Sequence, residues 1–149
     1  MKKYVFVIAI LALVIQGFKV STYESKMIAI KKETTNSIVL QQIDKGKVIY
    51  NKVCVACHLM NGQGITSVFP PVAKSDYLNA DVNRAIKQII KGSLGPILVN
   101  GKKYNTPMPI QVLNDQQIAD VLTYVYNSWG NNKSIVTQDM VTAQRKKLK

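Results

Sequence analysis

Apolar residues recur at steps of three and four in three separate segments of the chain, which is the spacing of helices with one buried face. The segments run over residues 44–53, 81–91 and 115–129. Their stripes contain, in order, Ile43, Ile49, Tyr50 and Val53; Val82, Ile86, Ile89 and Ile90; and Ile118, Val121, Leu122, Val125 and Trp129. With a short helix capped by Thr137, the pattern predicts an all-α protein of about four helices.

Capping residues support the bounds of these helices. Asn114 with Gln117 three residues later is close to a capping box at the start of the last long helix. Asn79 or Asp81 can cap the second helix, and Gly92 is expected to end it.

Gly46 lies inside the first helix, where glycine costs about 1 kcal/mol relative to alanine. Close approach of a second helix would compensate for this cost, and Tyr124 on the last long helix is the expected partner. A glycine that is merely tolerated is the alternative.

Glycine and proline signals mark the connections between the helices. The stretch from Asn61 to Gly64 breaks the helix before it, and the prolines at 70 and 71 impose an extended course. Asn100–Gly101 predicts a tight turn, in a small hairpin. Pro107 and Pro109 exclude a helix around Met108.

The N-terminal segment predicts export. Lys2 and Lys3 precede an unbroken apolar run from Val5 to Ile15, as in a secretory signal, and the run is short for a membrane span of about 20 residues. We assign residues 1–22 to a signal peptide, with an uncleaved signal anchor as the alternative. Residues 23–40 lack a clear period and are interpreted as a flexible lead-in, residues 41–130 as the folded domain, and residues 131–149 as a basic tail.

The formal net charge is +12, and most of it lies outside the predicted domain. Residues 41–130 hold nine basic and five acidic side chains. Within the domain, Arg84, Lys87 and Lys91 are interpreted as a solvated helix face. The basic tail could attract acidic redox partners or an anionic membrane surface, or it could be a solvated end. Nucleic acid is a poor partner for an exported protein with this charge distribution.

The candidate chemistry lies in the stretch Cys54-Val55-Ala56-Cys57-His58. A C-x-x-C-H string is typical of covalent haem c attachment, with two thiols joined to the haem vinyl groups and the histidine on the iron. The chain has two cysteines and one histidine, and all three lie in this stretch.

Three other interpretations of the stretch are weaker. A disulfide between Cys54 and Cys57 would close a strained loop of little value to stability. A thioredoxin-like pair needs a βαβ pattern that the sequence does not show. A zinc site needs a fourth Cys or His ligand, and none remains.

The second axial iron ligand is predicted to be Met108. Among the five methionines, Met60 follows His58 too closely to reach the opposite haem face, and the others lie in the leader region or the tail. A loop methionine is otherwise most often core filler. The second ring nitrogen of His58 needs an acceptor, for which a carbonyl in the stretch around Pro70 and Pro71 is the candidate.

The ordered set of motifs resembles the class I c-type cytochromes. Its elements are Gly46-x-x-x-Tyr50-x-x-x-Cys54-x-x-Cys57-His58, Phe69-Pro70-Pro71, Tyr104-x-x-x-Met108-Pro109 and Val121-x-x-Tyr124. The resemblance implies helices wrapped around one covalent haem, crossing at Gly46 and Tyr124, with His58 and Met108 on the iron. Within the family, the stretches 69–78, 99–105 and 127–131 look like the haem domains fused to some copper nitrite reductases.

These observations predict a periplasmic one-electron carrier that passes electrons between respiratory oxidoreductases, and not an enzyme. If the leader is uncleaved, the domain would be anchored to the membrane. Two alternatives stay open. One is a haem-bearing subunit through which electrons reach one oxidoreductase, for example a nitrite reductase. The other is a ligand-sensing haem from which Met108 is displaced.

Overall fold

The structure is a computed structural model that describes the backbone of residues 2–148 and the side chains of residues 23–148. Its elements are α1 (Lys2–Val53), α2 (Val55–His58), α3 (Asp76–Ala80), α4 (Val82–Lys91), β1 (Ile97–Val99), β2 (Lys102–Tyr104), α5 (Asp115–Tyr126) and α6 (Gln138–Lys147). The chain divides into two compact units, Met1–Ile38 and Val39–Lys149.

The predicted leader, residues 1–22, lies outside the residues whose side chains are described. Among the residues whose side chains are described, no helix combines the length and apolar character needed to cross a membrane.

Residues 23–40, interpreted from sequence as a flexible lead-in, are helical and belong to α1. No proline or glycine interrupts this stretch, so nothing in it breaks a helix. The Thr34 and Thr35 hydroxyls donate to carbonyls four residues earlier, both at 2.9 Å, which satisfies them within the helix. Nearly all side chains here are exposed, which explains why the sequence shows no apolar period.

The buried core of the second unit comes chiefly from α4, α5 and α6, together with the last turns of α1. Its fully buried side chains include Tyr50, Ile86, Ile118, Val121, Tyr126, Val136 and Val141. The antiparallel pair β1–β2 is the predicted small hairpin, with Val99 opposite Lys102 and the turn at Asn100–Gly101. The predicted helical class is confirmed, and the predicted hairpin is present.

The predicted caps are present at the helix starts. Asn114 and Gln117 form a full capping box, with both hydrogen bonds at 2.9 Å. The Asp81 side chain accepts from Arg84 N–H at 3.1 Å at the start of α4. The short helix α3, which the sequence did not predict, is capped by Ser75, whose hydroxyl oxygen accepts from Leu78 N–H.

The C-terminal residues, expected to be a basic tail, form part of the packed unit. Val136 and Val141 are completely buried, and α6 packs on both α4 and α5. Arg145 Nε donates to Asp115 Oδ1 at 2.6 Å. A few well-spaced apolar residues in an otherwise polar stretch are enough to dock the helix, which explains why composition alone suggested a solvated end.

The first and last long helices meet at Gly46, as predicted. A Cβ on Gly46 would lie 2.0 Å from the Asp120 carbonyl oxygen and 2.7 Å from Tyr124 Cβ. The rings of Tyr50, Tyr124 and Trp129 cluster next to this contact, with centroids 5.2–5.5 Å apart. Only a residue without a side chain lets the backbones approach this closely.

We expect Gly46→Ala to destabilise the holoprotein by about 1–3 kcal/mol, because the new methyl group would overlap the backbone of α5. This outweighs the helix preference of alanine, which is about 1 kcal/mol. Denaturant unfolding measures the change. Lys47→Ala, at an exposed position of the same helix, is the control and should change stability by less than about 0.5 kcal/mol. Equal stability of the two variants would contradict the close contact.

The Asp115 carboxylate is expected to stabilise the fold to an extent that depends on pH. Hydrogen bonds from Thr142 and Arg145 lower the pKa of its carboxyl below the usual range of an aspartate. Because the folded pKa lies below the unfolded one, the stabilisation is complete well above the unfolded pKa and is lost as the pH falls through the folded pKa. Asp115→Asn should therefore be less stable than wild type at pH 7, and the gap should close in acid.

The matched control is Asp139→Asn. Asp139 also lies in the first turn of its helix, but it is exposed, so its replacement should cost less at pH 7. A pH-independent gap between wild type and Asp115→Asn would rule out the carboxylate as its cause.

Candidate functional site

One cavity in the second unit brings together all four side chains selected from the sequence. It has a volume of about 310 Å³, and Cys54, Cys57, His58 and Met108 all line it. The rest of its wall is largely apolar and includes Phe69, Pro71, Leu78, Ile89, Val99 and Val121. Met60, by contrast, is 65% exposed.

The two thiols are placed by a helical turn that follows the end of α1. Cys54 N–H donates to the Tyr50 carbonyl at 2.9 Å, and His58 N–H donates to the Cys54 carbonyl at 3.0 Å. Both cysteines are free thiols and half-buried. Burial, assisted by the negative charge that Cys57 would carry, raises the pKa of the Cys54 thiol to about 11. A raised pKa makes the Cys54 thiol a poor nucleophile, which disfavours thiol–disulfide exchange at this residue.

The His58 ring is held by the backbone of the proline stretch. Its Nδ1 lies 2.9 Å from the Pro70 carbonyl oxygen. A carbonyl can only accept, so Nδ1 carries the proton and Nε2 is left with a free lone pair. The sequence left open which carbonyl of the proline stretch accepts from His58, and in the structure it is that of Pro70. Burial lowers the pKa of His58, partly offset by the Pro70 hydrogen bond, which favours the neutral ring that a metal needs.

The segment that carries Pro70 folds back onto the end of α2. The Gly62 carbonyl accepts from Val72 N–H and Ala73 N–H at 2.8 and 2.9 Å, and Gly64 N–H donates to the His58 carbonyl at 3.0 Å. These bonds fix the Pro70 carbonyl against the imidazole.

Asn131 is a supporting residue that the sequence analysis missed. Its buried side-chain amide donates to the Val72 carbonyl at 2.9 Å and to the Val125 carbonyl at 2.8 Å. It therefore joins the proline segment to α5. No spacing rule could find it, because the Val72 carbonyl lies 59 residues away in the chain and is brought close only by the fold.

Met108 lies on a loop attached to the end of α4. It forms an isolated antiparallel bridge with Ser93, in which each residue donates its N–H to the carbonyl of the other at 2.9 Å. The side chain is half-buried and packs against the core. The loop thus presents the thioether to the cavity from a fixed backbone position.

The prediction that Arg84 belongs to a solvated helix face is wrong. Lys87 and Lys91 are exposed, as expected for a solvated face, but Arg84 is half-buried. Its guanidinium carbon lies 3.7 Å from the centroid of the Tyr77 ring, and the guanidinium donates to the Tyr77 carbonyl. Its buried Nε has no hydrogen-bond partner in the described structure. A helical charge pattern could not show this, because Tyr77 belongs to α3, which the sequence did not predict.

These residues fit a haem. Two thiols and an imidazole that are close in sequence line an apolar cavity, the thioether comes from a separate loop, and polar side chains such as Tyr77 and Gln88 interrupt the apolar wall. This donor set matches c-type haem, which uses thiols for attachment and imidazole and thioether as iron ligands.

Comparison with known proteins agrees with this chemistry. The sequence model of the cytochrome c family matches residues 43–129. Cytochrome c-552 of Thermus thermophilus is 36% identical over 134 residues, covering 74% of this chain and 89% of that protein. The cytochrome c subunit of the quinone-dependent alcohol dehydrogenase of Gluconobacter oxydans is 30% identical over 95 residues, covering 61% of this chain and 20% of that subunit. The gluconate 2-dehydrogenase cytochrome c subunit of Pantoea cypripedii is 33% identical over 106 residues, covering 68% of this chain and 24% of that subunit.

The fold and the cavity define a c-type haem protein, and the chain belongs to the cytochrome c family. It is a monohaem cytochrome c with haem c as its cofactor, and it is an electron carrier and not an enzyme.

Proposed function

We propose that this cytochrome carries single electrons between respiratory oxidoreductases in the periplasm. In this proposal Cys54 and Cys57 attach the haem by thioether bonds, and His58 and Met108 bind its iron. The observation that carries the proposal is that these four side chains line one cavity, although Met108 is 50 residues beyond His58 in the chain.

When bound, the haem supplies a one-electron couple between Fe(II) and Fe(III). The residues of the chain position and tune it. Pro70 orients the His58 ring and burial favours its neutral form, and the Met108 thioether favours the reduced state and raises the potential. Two protein ligands leave no iron position open to substrate, as a carrier requires.

A ligand-sensing haem is less well supported. Such a site needs acid–base groups beside an exchangeable position, and the chain has no second histidine. Arg84 could in principle serve as such a group, but it is engaged with Tyr77. Tyr104 could also serve, but it is buried.

The proposed location follows from the cofactor and the leader. Haem is joined to thiols outside the cytoplasm, and residues 1–22 have the charge and apolar pattern of a signal. We propose a periplasmic protein, tethered to the membrane if the leader remains uncleaved.

The proposed partners are redox proteins with acidic docking surfaces. On α6, Lys146 and Lys147 are exposed, whereas Arg145 is bound to Asp115. The exposed lysines are therefore the charges of that helix available to attract an acidic partner, or an anionic membrane surface.

A second candidate function is a haem subunit dedicated to one oxidoreductase. It is favoured by the similarity to the cytochrome c subunits of dehydrogenases, of which this chain spans about a fifth to a quarter. Purification of the native protein distinguishes the two functions. A dedicated subunit should co-purify with one enzyme at a constant molar ratio, whereas a carrier should purify alone.

A nitrite reductase is one oxidoreductase that such a dedicated haem subunit could serve. The stretches that resemble nitrite-reductase haem domains contact one another, since Asp76 and Asn100 exchange hydrogen bonds of 3.0 and 2.7 Å. Asn131 joins the same region through the Val72 carbonyl. The motifs thus form one continuous part of the protein, as a shared docking role would require.

We expect the haem to be covalently bound. Acid–acetone extraction, which removes haem that is not covalently attached, should leave the colour with the polypeptide. Replacing Cys54 and Cys57 by alanine should give little folded protein, because the small core is completed by the macrocycle. Haem that leaves with the solvent would contradict attachment through these thiols.

We expect Met108→Ala to open the iron to added ligands. The oxidised wild type should show the weak long-wavelength band of a thioether on ferric haem, and the variant should lose it. The potential should also fall, because the ligand that favours Fe(II) is gone.

Met60→Leu is the control, since Met60 is exposed and does not line the cavity. Its spectrum and potential should match wild type. Loss of the band in Met60→Leu, with the band retained in Met108→Ala, would overturn the assignment of the ligand.

A further inference from the structure

Gly92, the residue after α4, lies directly under the backbone of Met108. A Cβ built on Gly92 would lie 2.5 Å from the Met108 carbonyl oxygen, and 3.3 Å from the Ile110 nitrogen. Real side chains essentially never make the first of these contacts. The obstacle is backbone on both sides, so no side-chain rotation could relieve it.

The backbone conformation of Gly92 also requires glycine. Its φ is 72° and its ψ is −173°, a region that residues with a side chain almost never occupy. Gly92 N–H donates to the Gln88 carbonyl at 2.8 Å, which closes α4. Two independent constraints, conformation and space, therefore apply at this position.

The end of α4 and the Met108 loop satisfy each other's backbone groups. The last carbonyls of a helix lack partners within the helix. Here the Ile89 carbonyl accepts from Gln111 N–H at 3.1 Å, and Ser93 forms its two bonds with Met108. Three hydrogen bonds thus bind residues 108–111 to the end of α4, with Gly92 between them.

We propose that Gly92 is a positioning residue for the sixth iron ligand: its missing side chain lets the Met108 loop lie close against α4, and this contact keeps the thioether on the iron. The inference rests on the proposed role of Met108. It adds that the strength of the iron–sulfur bond is determined by backbone packing at a residue that does not itself reach the iron.

The test compares Gly92→Ala with Gly101→Ala in the full holoprotein. Gly101 also has a positive φ, of 74°, but nothing lies within 4 Å of a Cβ built there. Both variants introduce local strain, and only Gly92→Ala displaces the Met108 loop. Imidazole is the probe, because it can bind ferric iron only after the thioether leaves.

We expect Gly92→Ala to weaken the long-wavelength band and to raise the apparent affinity for imidazole about tenfold or more, which corresponds to about 1.4 kcal/mol. Gly101→Ala should keep the band and bind imidazole as wild type does. An imidazole affinity of Gly92→Ala within about twofold of Gly101→Ala, with the band intact, would overturn the inference.

A second pair of variants tests the same contact without a new side chain at residue 92. Gln111→Pro removes the N–H that donates to Ile89, and Gln111→Ala keeps it while losing the same side chain. Imidazole should bind more tightly to Gln111→Pro than to Gln111→Ala, and equal binding would count against the inference.

The proposed roles of Met108 and Gly92 are tested separately by these variants. If wild type lacks the thioether band, the role proposed for Met108 is wrong. If wild type shows the band and Met108→Ala loses it, but Gly92→Ala and Gln111→Pro behave as their controls do, only the role of Gly92 is wrong.

Discussion

Both proposed iron ligands are held by main-chain hydrogen bonds. The Pro70 carbonyl accepts from His58 Nδ1, and the backbone of Ser93 pairs with that of Met108. Ordering the backbone of a residue costs about 1–2 kcal/mol in conformational entropy, and folding has already met this cost in the segments that carry these groups, so they hold a ligand without further loss. In a small domain with a cavity at the centre of its core, this arrangement lets the donor set form from segments that are far apart in sequence.

The same constraint explains the positions of the supporting elements. The proline segment is attached to α5 through Asn131, and α5 approaches α1 closely because Gly46 has no side chain. The Met108 loop depends on the end of α4, and α4 packs against α6. Each ligand therefore depends on helix packing, which links the stability of the fold to the ligation of the iron.

Much of this could be predicted from sequence because it is local. The C-x-x-C-H spacing, the capping box at Asn114 and the turn at Asn100–Gly101 each depend on neighbouring residues. Gly46 could be matched to Tyr124 because a glycine inside an amphipathic helix calls for a close partner. The docking of α6 and the contact of Gly92 with Met108 depend on residues distant in sequence, and no local pattern reports them. The stacking of Arg84 on Tyr77 could not be predicted because it depends on α3, which the sequence did not predict.

The most direct test of the central claim is the NMR spectrum of the reduced wild-type protein with ¹³C-labelled methionine methyl groups. A methionine on the iron lies against the haem ring, so its methyl signal should be shifted far from those of the other methionines. We expect one such signal, and we expect it to disappear when Met108 alone is changed to leucine. A spectrum without a shifted methyl signal, or one whose shifted signal survives that change, would contradict the role proposed for Met108.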